Sequence, residues 1–342
     1  MERGPKIYIP LFRSDVQENC LSCVHISRSP EDGRRYFMSV AVDHYRDSYL
    51  PGIVNIYNEM STLLPYHWPV SIPDFVSAIL VDGPLHDGLY QFDPQELIVA
   101  LDSQKRVTGF LHYTEARGSG KGSIRVIFAA GNESESIADA LLGEALSRLY
   151  QSGANRIVAW PIRNGYPFYG MTRGACWSGF RLDELLLAKG FRRYPAEIPE
   201  TFYATALPKV RFIALPGSGI QFNTVASEEP IGLKAPLLTR RHTALLNGNI
   251  IGDACWFRLD ELQGHPEARQ IAYILRLGIL QDFIKEGITR TLLLQAFQAM
   301  AGEGIRAVAL TCGPEVAPDT IDLLKSLGFV PLGASFRYVK ET

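Results

Sequence analysis

Residues 136–153 read SIADALLGEALSRLYQSG, and residues 287–304 read GITRTLLLQAFQAMAGEG. Both stretches carry apolar residues at the spacing of an amphipathic helix, and each closes on a glycine, which favours the end of a helix. Five residues of the first stretch recur in the second at one offset of 151 positions (288 minus 137). The matching pairs are Ile137 and Ile288, Leu141 and Leu292, Leu142 and Leu293, Ala145 and Ala296, and Gly153 and Gly304. A fixed offset of this kind indicates duplication of one structural unit.

Strand and helix patterns surround both stretches in the same order. The first half predicts a hairpin, a strand, the helix and a further strand, at Leu97–Leu101, Val107–Tyr113, Ser123–Ala129, Ser136–Gln151 and Arg156–Trp160. The second half predicts the same series and a last helix, at Arg241–Leu246, Ile250–Phe257, Ala272–Leu280, Glu286–Ala301, Arg306–Thr311 and Asp319–Leu327. Two early helices, near Leu50–Tyr57 and from Ser71, have no counterpart in the second half. Each half is expected to form a mixed sheet whose central parallel strands part.

The length of 342 residues suggests two domains. We expect a poorly structured extension over residues 1–35, a first domain over 36–208 and a shorter second domain over 209–342. The extension contains a CxxC pair, Cys20 and Cys23, with His25 nearby. A zinc site needs four ligands, and no second such pair follows, so we expect neither a metal nor a redox function here.

Composition argues against several classes of partner. The formal net charge is −2, whereas binding to nucleic acid or anionic lipid needs a basic surplus. No stretch reaches the ~18 consecutive apolar residues of a membrane helix. Five cysteines are too few for a disulfide framework in a chain of this length. We therefore expect a cytoplasmic protein with neither a nucleic acid nor a membrane as partner.

The element order, which ends in both halves with a helix, a Gly-Phe pair and a strand, resembles the GNAT N-acetyltransferase superfamily. The resemblance covers residues 37–206 and, in a shorter second copy, residues 211–342. The Gly-Phe pairs are Gly190-Phe191 and Gly328-Phe329. The segment Tyr166 to Met171 is similar to a Pro-Phe-Tyr-x-Gly segment of two-domain GNAT proteins. This resemblance implies an α/β (α+β) fold class, with two tandem GNAT folds and a mixed central sheet flanked by helices.

In that family a strand ends in V-x-P, and a loop of type R/Q-x-x-G-x-G/A opens the next helix. Backbone amides of this loop receive the pyrophosphate of coenzyme A, since free amides and the helix dipole both favour an anion. In the first copy the loop arginine falls on Glu133, and in the second on Ile284. The resemblance implies that ten positions contact acetyl-CoA, the expected co-substrate: Phe128, Ala130, Ser134, Ser136, Ala138, Ile279, Gln281, Lys285, Gly287 and Thr289.

The phosphate loop of the first copy allows two interpretations. Ser136 and Asp139 fit a capping box, which would satisfy the helix amides and leave no place for pyrophosphate. Alternatively, the hydroxyls of Ser134 and Ser136 would donate to a phosphate, against the charges of Glu133 and Glu135. The second copy has the better anion site, because Gly287 lets the backbone approach a ligand closely. The first copy has the acceptor-side helices, so both copies stay open as the site.

Acyl transfer also needs a proton donor for the leaving thiolate. Many family members use a tyrosine four residues before the late Gly-Phe, and here these positions are Leu186 and Leu324. Tyr166 or Tyr169 would be a substitute, and we take Tyr169 as the catalytic candidate. Cys312 is assigned to core packing.

The leading hypothesis is an acyl-CoA-dependent N-acyltransferase, most simply an acetyltransferase, that transfers the acyl group directly from the thioester to an amine acceptor. The alternative is a catalytically inactive GNAT-like module that binds a ligand or a protein, because both the loop arginines and the late tyrosines are absent. A third reading is a purely structural duplicated fold.

Overall fold

The computed structural model describes residues 40–61, 66–80, 93–115, 118–160, 166, 182–194, 200–207, 219–229, 237–261, 264–279, 287–313 and 316–341. All of these residues belong to one compact unit, Val40–Thr342. The expected extension, with Cys20, Cys23 and His25, lies outside the described residues.

Fourteen strands and six helices are found in the described part of the chain. The strands are β1 (Ala41–His44), β2 (Leu97–Leu101), β3 (Val107–Thr114), β4 (Lys121–Ala129), β5 (Arg156–Ala159), β6 (Arg192–Tyr194), β7 (Glu200–Ala206), β8 (Ile220–Glu229), β9 (Leu237–Leu246), β10 (Asn249–Arg258), β11 (Ile271–Ile279), β12 (Ala307–Cys312), β13 (Val330–Ser335) and β14 (Arg337–Glu341). The helices are α1 (Leu50–Ser61), α2 (Ile72–Phe75), α3 (Ser134–Gln151), α4 (Leu182–Ala188), α5 (Ile288–Gly302) and α6 (Pro318–Ser326).

The strands form two seven-stranded sheets. The first sheet has the order β1-β2-β3-β4-β5-β14-β6, and the second has the order β13-β7-β12-β11-β10-β9-β8. Each contains one parallel pair, β4 with β5 and β11 with β12, among antiparallel neighbours. The predicted mixed sheets with central parallel pairs are therefore confirmed.

The two sheets exchange strands. β14, the last strand of the chain, lies between β5 and β6 in the first sheet. β7, from the predicted first domain, lies between β12 and β13 in the second sheet. Sheet membership therefore crosses the predicted boundary between residues 208 and 209 in both directions, and the division into domains 36–208 and 209–342 stays a prediction about the sequence alone.

The duplicated helices pack and end alike. The repeated apolar residues of α3 and α5 are buried, with Leu141 and Leu292 fully enclosed. Gly153 and Gly304 adopt the left-handed conformation, with φ of 85° and 78°. The amide of the residue after each glycine donates to a carbonyl of the last helical turn, from Ala154 to Leu149 and from Ile305 to Met300. This glycine-dependent end is the physical reason for the conserved spacing within the repeat.

Each sheet has apolar side chains on both faces. On the first sheet, α3 and α4 cover one face, and α1 and α2 cover the other. On the second sheet, α5 and α6 pack on one face. Tyr66 and Trp68, from the first half, pack on part of the other. Each buried leucine or isoleucine contributes about 1.5–3 kcal/mol. Within the described ranges, no helix is long and apolar enough to cross a membrane.

Candidate active site

The parallel strands of the second sheet part halfway along. β11 pairs with β12 from Ile271–Ala307 only as far as Ile274–Leu310, although β11 continues to Ile279. The register between β10 and β11 shifts at the same point, so that Leu275 is the extra residue of a bulge. A bulge bends its strand and increases the twist, which explains why β11 turns away from β12.

In the first sheet the parallel strands also part at a bulge. β4 pairs with β5 as far as Ile124–Ala159, and Arg125 is the extra residue opposite β3. β4 then continues to Ala129 without β5 beside it. Both halves therefore contain the strand divergence that the sequence predicts.

The helices that follow the two diverging strands begin differently. Gly287 precedes α5 with φ of 72°, and its carbonyl accepts from the amide of Thr291. The first turn of α5 carries no acidic residue, and no side chain caps the helix. Such a helix end favours an anion through its free amides and its dipole.

The start of α3 is less favourable for an anion. Glu133 occupies the N-cap position, and Glu135 lies in the first turn. The interpretation that Ser136 caps this helix is wrong, because α3 begins at Ser134 and places Ser136 inside the first turn. Asp139 instead forms an ion pair with Lys189 at 2.7 Å. The start of α3 therefore differs from the start of α5 by the carboxylates of Glu133 and Glu135, and not by a capping box.

The predicted cofactor-binding residues lie in three kinds of environment. Phe128 and Ala138 are buried in the core, and the side chain of Thr289 is nearly so. Ala130, Ser134 and Ile279 are half-buried, whereas Ser136 and Gly287 are exposed. Gln281, Lys285 and the catalytic candidate Tyr169 lie outside the described residues. Among the described residues of this set, the exposed ones therefore lie at the two helix starts.

A buried polar chain lies beside the divergence point of the first half. Nη1 of Arg125 is 3.3 Å from Nε2 of His112, and Nδ1 of His112 is 3.2 Å from the hydroxyl of Tyr166. Because a guanidinium can only donate, Nε2 accepts and Nδ1 carries the imidazole proton towards Tyr166. Burial, together with the charge of Arg125, holds the pKa of His112 well below its usual value. Burial also raises the pKa of Tyr166, so both groups stay neutral.

A hydroxyl pair lies at the divergence point of the second half. Tyr273 on β11 donates to Oγ1 of Thr311 on β12 at 2.8 Å. Tyr273 directly precedes the last paired residue of β11, and Thr311 directly follows that of β12. Sequence reasoning missed this pair, because neither residue stands where the family places its acid.

The positions of the family's late tyrosine carry no proton donor. Leu186 and Leu324 are both enclosed in the apolar cores. Cys312 is buried in a core cluster, which confirms its assignment to core packing.

Comparison with known proteins finds a similarity to one family in the second half of the chain. Residues 221–329 match the family model described as Acetyltransferase (GNAT) family. That segment contains β11, α5 and the divergence point of the second half. The segment is therefore similar to the GNAT acetyltransferase family.

Solved structures with similar folds extend the likeness to the first half. One is a GCN5-related glucosamine N-acetyltransferase region of a fungal multi-domain GH3 β-N-acetylglucosaminidase, with a TM-score of 0.60, 15% identity, and coverage of 89% of this chain and 38% of that one. A second is a tandem GNAT protein from the clavulanic acid biosynthesis pathway, with a TM-score of 0.59, 15% identity, and coverage of 88% and 98%. A third is a GCN5-related N-acetyltransferase from Sphaerobacter thermophilus, with a TM-score of 0.57, 13% identity, and coverage of 88% and 95%. The chain has a tandem GNAT fold.

These identities show the fold alone. The chain spans well under half of the fungal enzyme and nearly all of the other two proteins. A search of curated proteins found no match.

Proposed function

We propose that this chain is an N-acyltransferase that moves an acyl group, most simply acetyl, from a coenzyme A thioester directly to an amine, and that its second half holds the thioester. The observation that carries the proposal is the divergence of β11 from β12 beside a helix that follows an exposed glycine and has no acidic residue in its first turn. The family match over residues 221–329 supports the same half.

The residues of the second half fit the charge of coenzyme A. Its pyrophosphate would lie at Gly287 and the first amides of α5, where the helix dipole favours negative charge. A bound thioester supplies the acyl carbonyl and a thiolate leaving group. The edge of β11 beyond Ile274 is free of β12, so its backbone is placed to hydrogen-bond a ligand between the strands.

Tyr273 is the proposed source of the proton for the thiolate. Its hydroxyl lies where the strands part, and Thr311 orients it by accepting its hydrogen bond. A different acid is needed because the family's usual acid position carries Leu324, which is fully buried and has no proton to donate. Tyr169 remains the corresponding prediction for the first half.

Calorimetric titration with acetyl-CoA and with desulfo-CoA tests the site. Gly287→Glu places a carboxylate at the start of α5 and should abolish binding, because a charged contact of about 1.5–3 kcal/mol turns into a repulsion. The matched control, Ser136→Glu at the start of α3, should leave binding unchanged. Failure of the unmodified chain to bind at millimolar ligand would refute the proposal, and equal effects of both substitutions would refute the assignment to the second half.

One observation favours a second candidate, an inactive ligand-binding module. Both late tyrosine positions carry buried leucines, Leu186 and Leu324. This reading predicts that acetyl-CoA binds and is never consumed with any amine. Release of free thiol during incubation with a mixture of amines would exclude it.

A further inference from the structure

Strand β8 forms one outer edge of the second sheet. It is ten residues long and pairs with β9 at every residue, from Ile220–Leu246 to Glu229–Leu237, without a register shift. In an antiparallel ladder the backbone N–H and C=O groups of alternate residues point away from the partner strand. Among the described strands only β9 lies beside β8, so the outward groups of residues 221–226 are not part of any ladder there.

The side chains of β8 are exposed on both faces of the sheet. Gln221, Asn223 and Val225 point to one face, Thr224 and Ala226 point to the other, and all five are exposed. Val225 keeps 56% of its surface exposed, the largest fraction for a large hydrophobic residue in the described part of the chain. Because neither face of the strand is covered over these residues, another strand can approach β8 from the side.

The other three edges of the two described sheets have features that hinder strand pairing. β1 has only four residues, and β6 has only three. β13 contains Pro331, which has no N–H, and a register shift follows it. Short edges, prolines and bulges are the usual protection against edge-to-edge association. β8 has no proline and no register shift, and residues 220–227 carry no charge.

We propose that β8 is the contact surface of a homodimer, in which it pairs antiparallel with β8 of a second copy of this chain around a twofold axis. The second sheets of the two copies then form one continuous sheet. This inference goes beyond the acyltransferase function and does not depend on it.

Charge and symmetry favour a second copy as the occupant of this edge. Residues 220–227 are uncharged, so two copies meet along most of the strand without repulsion. Antiparallel pairing also places the acidic pair Glu228 and Glu229 of the two copies at opposite ends of the contact. An isologous contact of this kind closes after two copies. A foreign extended peptide is the competing occupant, but edges that bind peptides combine the strand with pockets for alternate side chains, whereas β8 presents exposed side chains.

The symmetry restricts the register of the dimer. Cross-strand partners point to the same side of a sheet, so the twofold axis must pass through a residue and not between two residues. The two registers that pair the most residues of β8 place the axis at Thr224 or at Val225. In both registers Val225 of one copy faces Val225 of the other, diagonally or directly. A charge introduced at this position therefore meets its own copy in the dimer.

Analytical ultracentrifugation of the full chain, from nanomolar to high micromolar concentration, tests the proposal. We expect a reversible equilibrium between monomer and dimer. Hydrogen exchange, measured by mass spectrometry at the same concentrations, tests the position of the contact. Roughly half of the β8 amides point to β9 and should be protected at every concentration, whereas the others should become protected only where the dimer forms. A chain that stays monomeric throughout, or a dimer in which the exchange of β8 does not change, would overturn the proposal.

Two matched substitutions distinguish the edge from the face of the sheet. Val225→Glu should raise the Kd of the dimer about tenfold or more, because each copy contributes one like charge to the contact. The fold should tolerate this change, since Arg241 is the cross-strand neighbour of residue 225 within the chain. Ile250, 49% exposed on the interior strand β10, provides the control, and Ile250→Glu should leave the Kd within about twofold.

Equal weakening of the dimer by both substitutions would place the contact on the face of the sheet and would overturn the proposal. Urea unfolding checks that both variants are folded. The exchange experiment uses the unmodified chain, so it decides the proposal even if Val225→Glu does not fold.

Discussion

Two glycines of the first half show how strongly the effect of one methyl group depends on its place. A Cβ on Gly109 would lie 2.7 Å from Cγ2 of Ile137 and 2.8 Å from the carbonyl oxygen of Phe128. A Cβ on Gly143, in the middle of α3, would have no neighbour within 4 Å among the described residues. β3 therefore approaches β4 and α3 through a glycine, whereas the glycine in α3 only adds flexibility to the unfolded chain.

We expect the two alanine substitutions to have opposite signs. Gly143→Ala should stabilise the fold by about 0.5–1 kcal/mol, because alanine favours a helix interior. Gly109→Ala should destabilise it by about 1–3 kcal/mol, because the backbone of β4 cannot move away without distorting the sheet. Urea unfolding measures both changes, and a stabilising Gly109→Ala would contradict the close packing.

The proposed role of Tyr273 makes a kinetic prediction. Tyr273→Phe removes the proton donor and keeps the ring, so kcat should fall by a factor on the order of 10² or more while the Kd of acetyl-CoA stays unchanged. Tyr203→Phe is the matched control, since Tyr203 is equally buried on β7 but packs in the cluster around α5. Equal losses in steady-state assays of the two variants would show that Tyr273 has no special part.

Among the elements, β9 contains a buried histidine between two hydrogen-bonding strands. Nε1 of Trp256 donates to Nε2 of His242 at 3.0 Å, so the imidazole proton lies on Nδ1, which is 2.9 Å from Oγ1 of Thr224. This links β10, β9 and β8 through neutral groups. Burial lowers the pKa of His242 from 6.5 to about 4.

The lowered pKa of His242 predicts a stability loss in acid. Above pH 6.5 the histidine is neutral in both states, so its contribution does not vary. Between pH 6.5 and 4 the unfolded chain takes up a proton that the folded chain refuses, which costs up to about 3 kcal/mol. Urea unfolding at several pH values measures this slope, to which His112 adds with the same sign. His242→Gln should remove its own share, and an unchanged slope in that variant would contradict the assignment.

The sequence predicts many of the elements, whereas its site residues stay predictions. The helix stripes of α3 and α5, with the glycines that end them, follow from local periodicity, and the structure confirms them. The bulges at Arg125 and Leu275 leave no local signal, because a bulge is defined by the partner strand. The contact between Tyr273 and Thr311 also depends on which strands are neighbours, and local sequence patterns do not predict this.

At the scale of the whole molecule, the exchange of β7 and β14 is the feature that the repeat alone could not reveal. Both halves end in a helix, a Gly-Phe pair and two strands, and the second of these strands, β7 or β14, joins the other sheet. Tyr338 and Val339 of β14 are buried in the first sheet, and Phe202 and Ala204 of β7 are buried in the second. Each sheet is therefore completed by the other half of the chain.

This exchange predicts that the two halves remain joined after the chain is cut. A protease site inserted between residues 208 and 209 should be cleaved without loss of the folded state, because β7 stays hydrogen-bonded to β12 and β13, and β14 to β5 and β6. The fragments should co-elute in size-exclusion chromatography and separate only in denaturant. Neither fragment should refold alone with a cooperative transition, since each would lack an interior strand of its own sheet and expose that strand's neighbours.

Truncation of the cut protein tests whether strand exchange, rather than ordinary packing, holds the two fragments together. Removing residues 337–342 from the cut protein takes away β14, with about 1.5–3 kcal/mol for each of its two buried side chains, Tyr338 and Val339. If strand exchange holds the fragments together, they should then dissociate much faster. If packing between the halves were sufficient, the dissociation rate would not change. Separation of the cut but untruncated chain into two folded monomers would instead show that each half closes its own sheet, as the boundary predicted from the sequence implies.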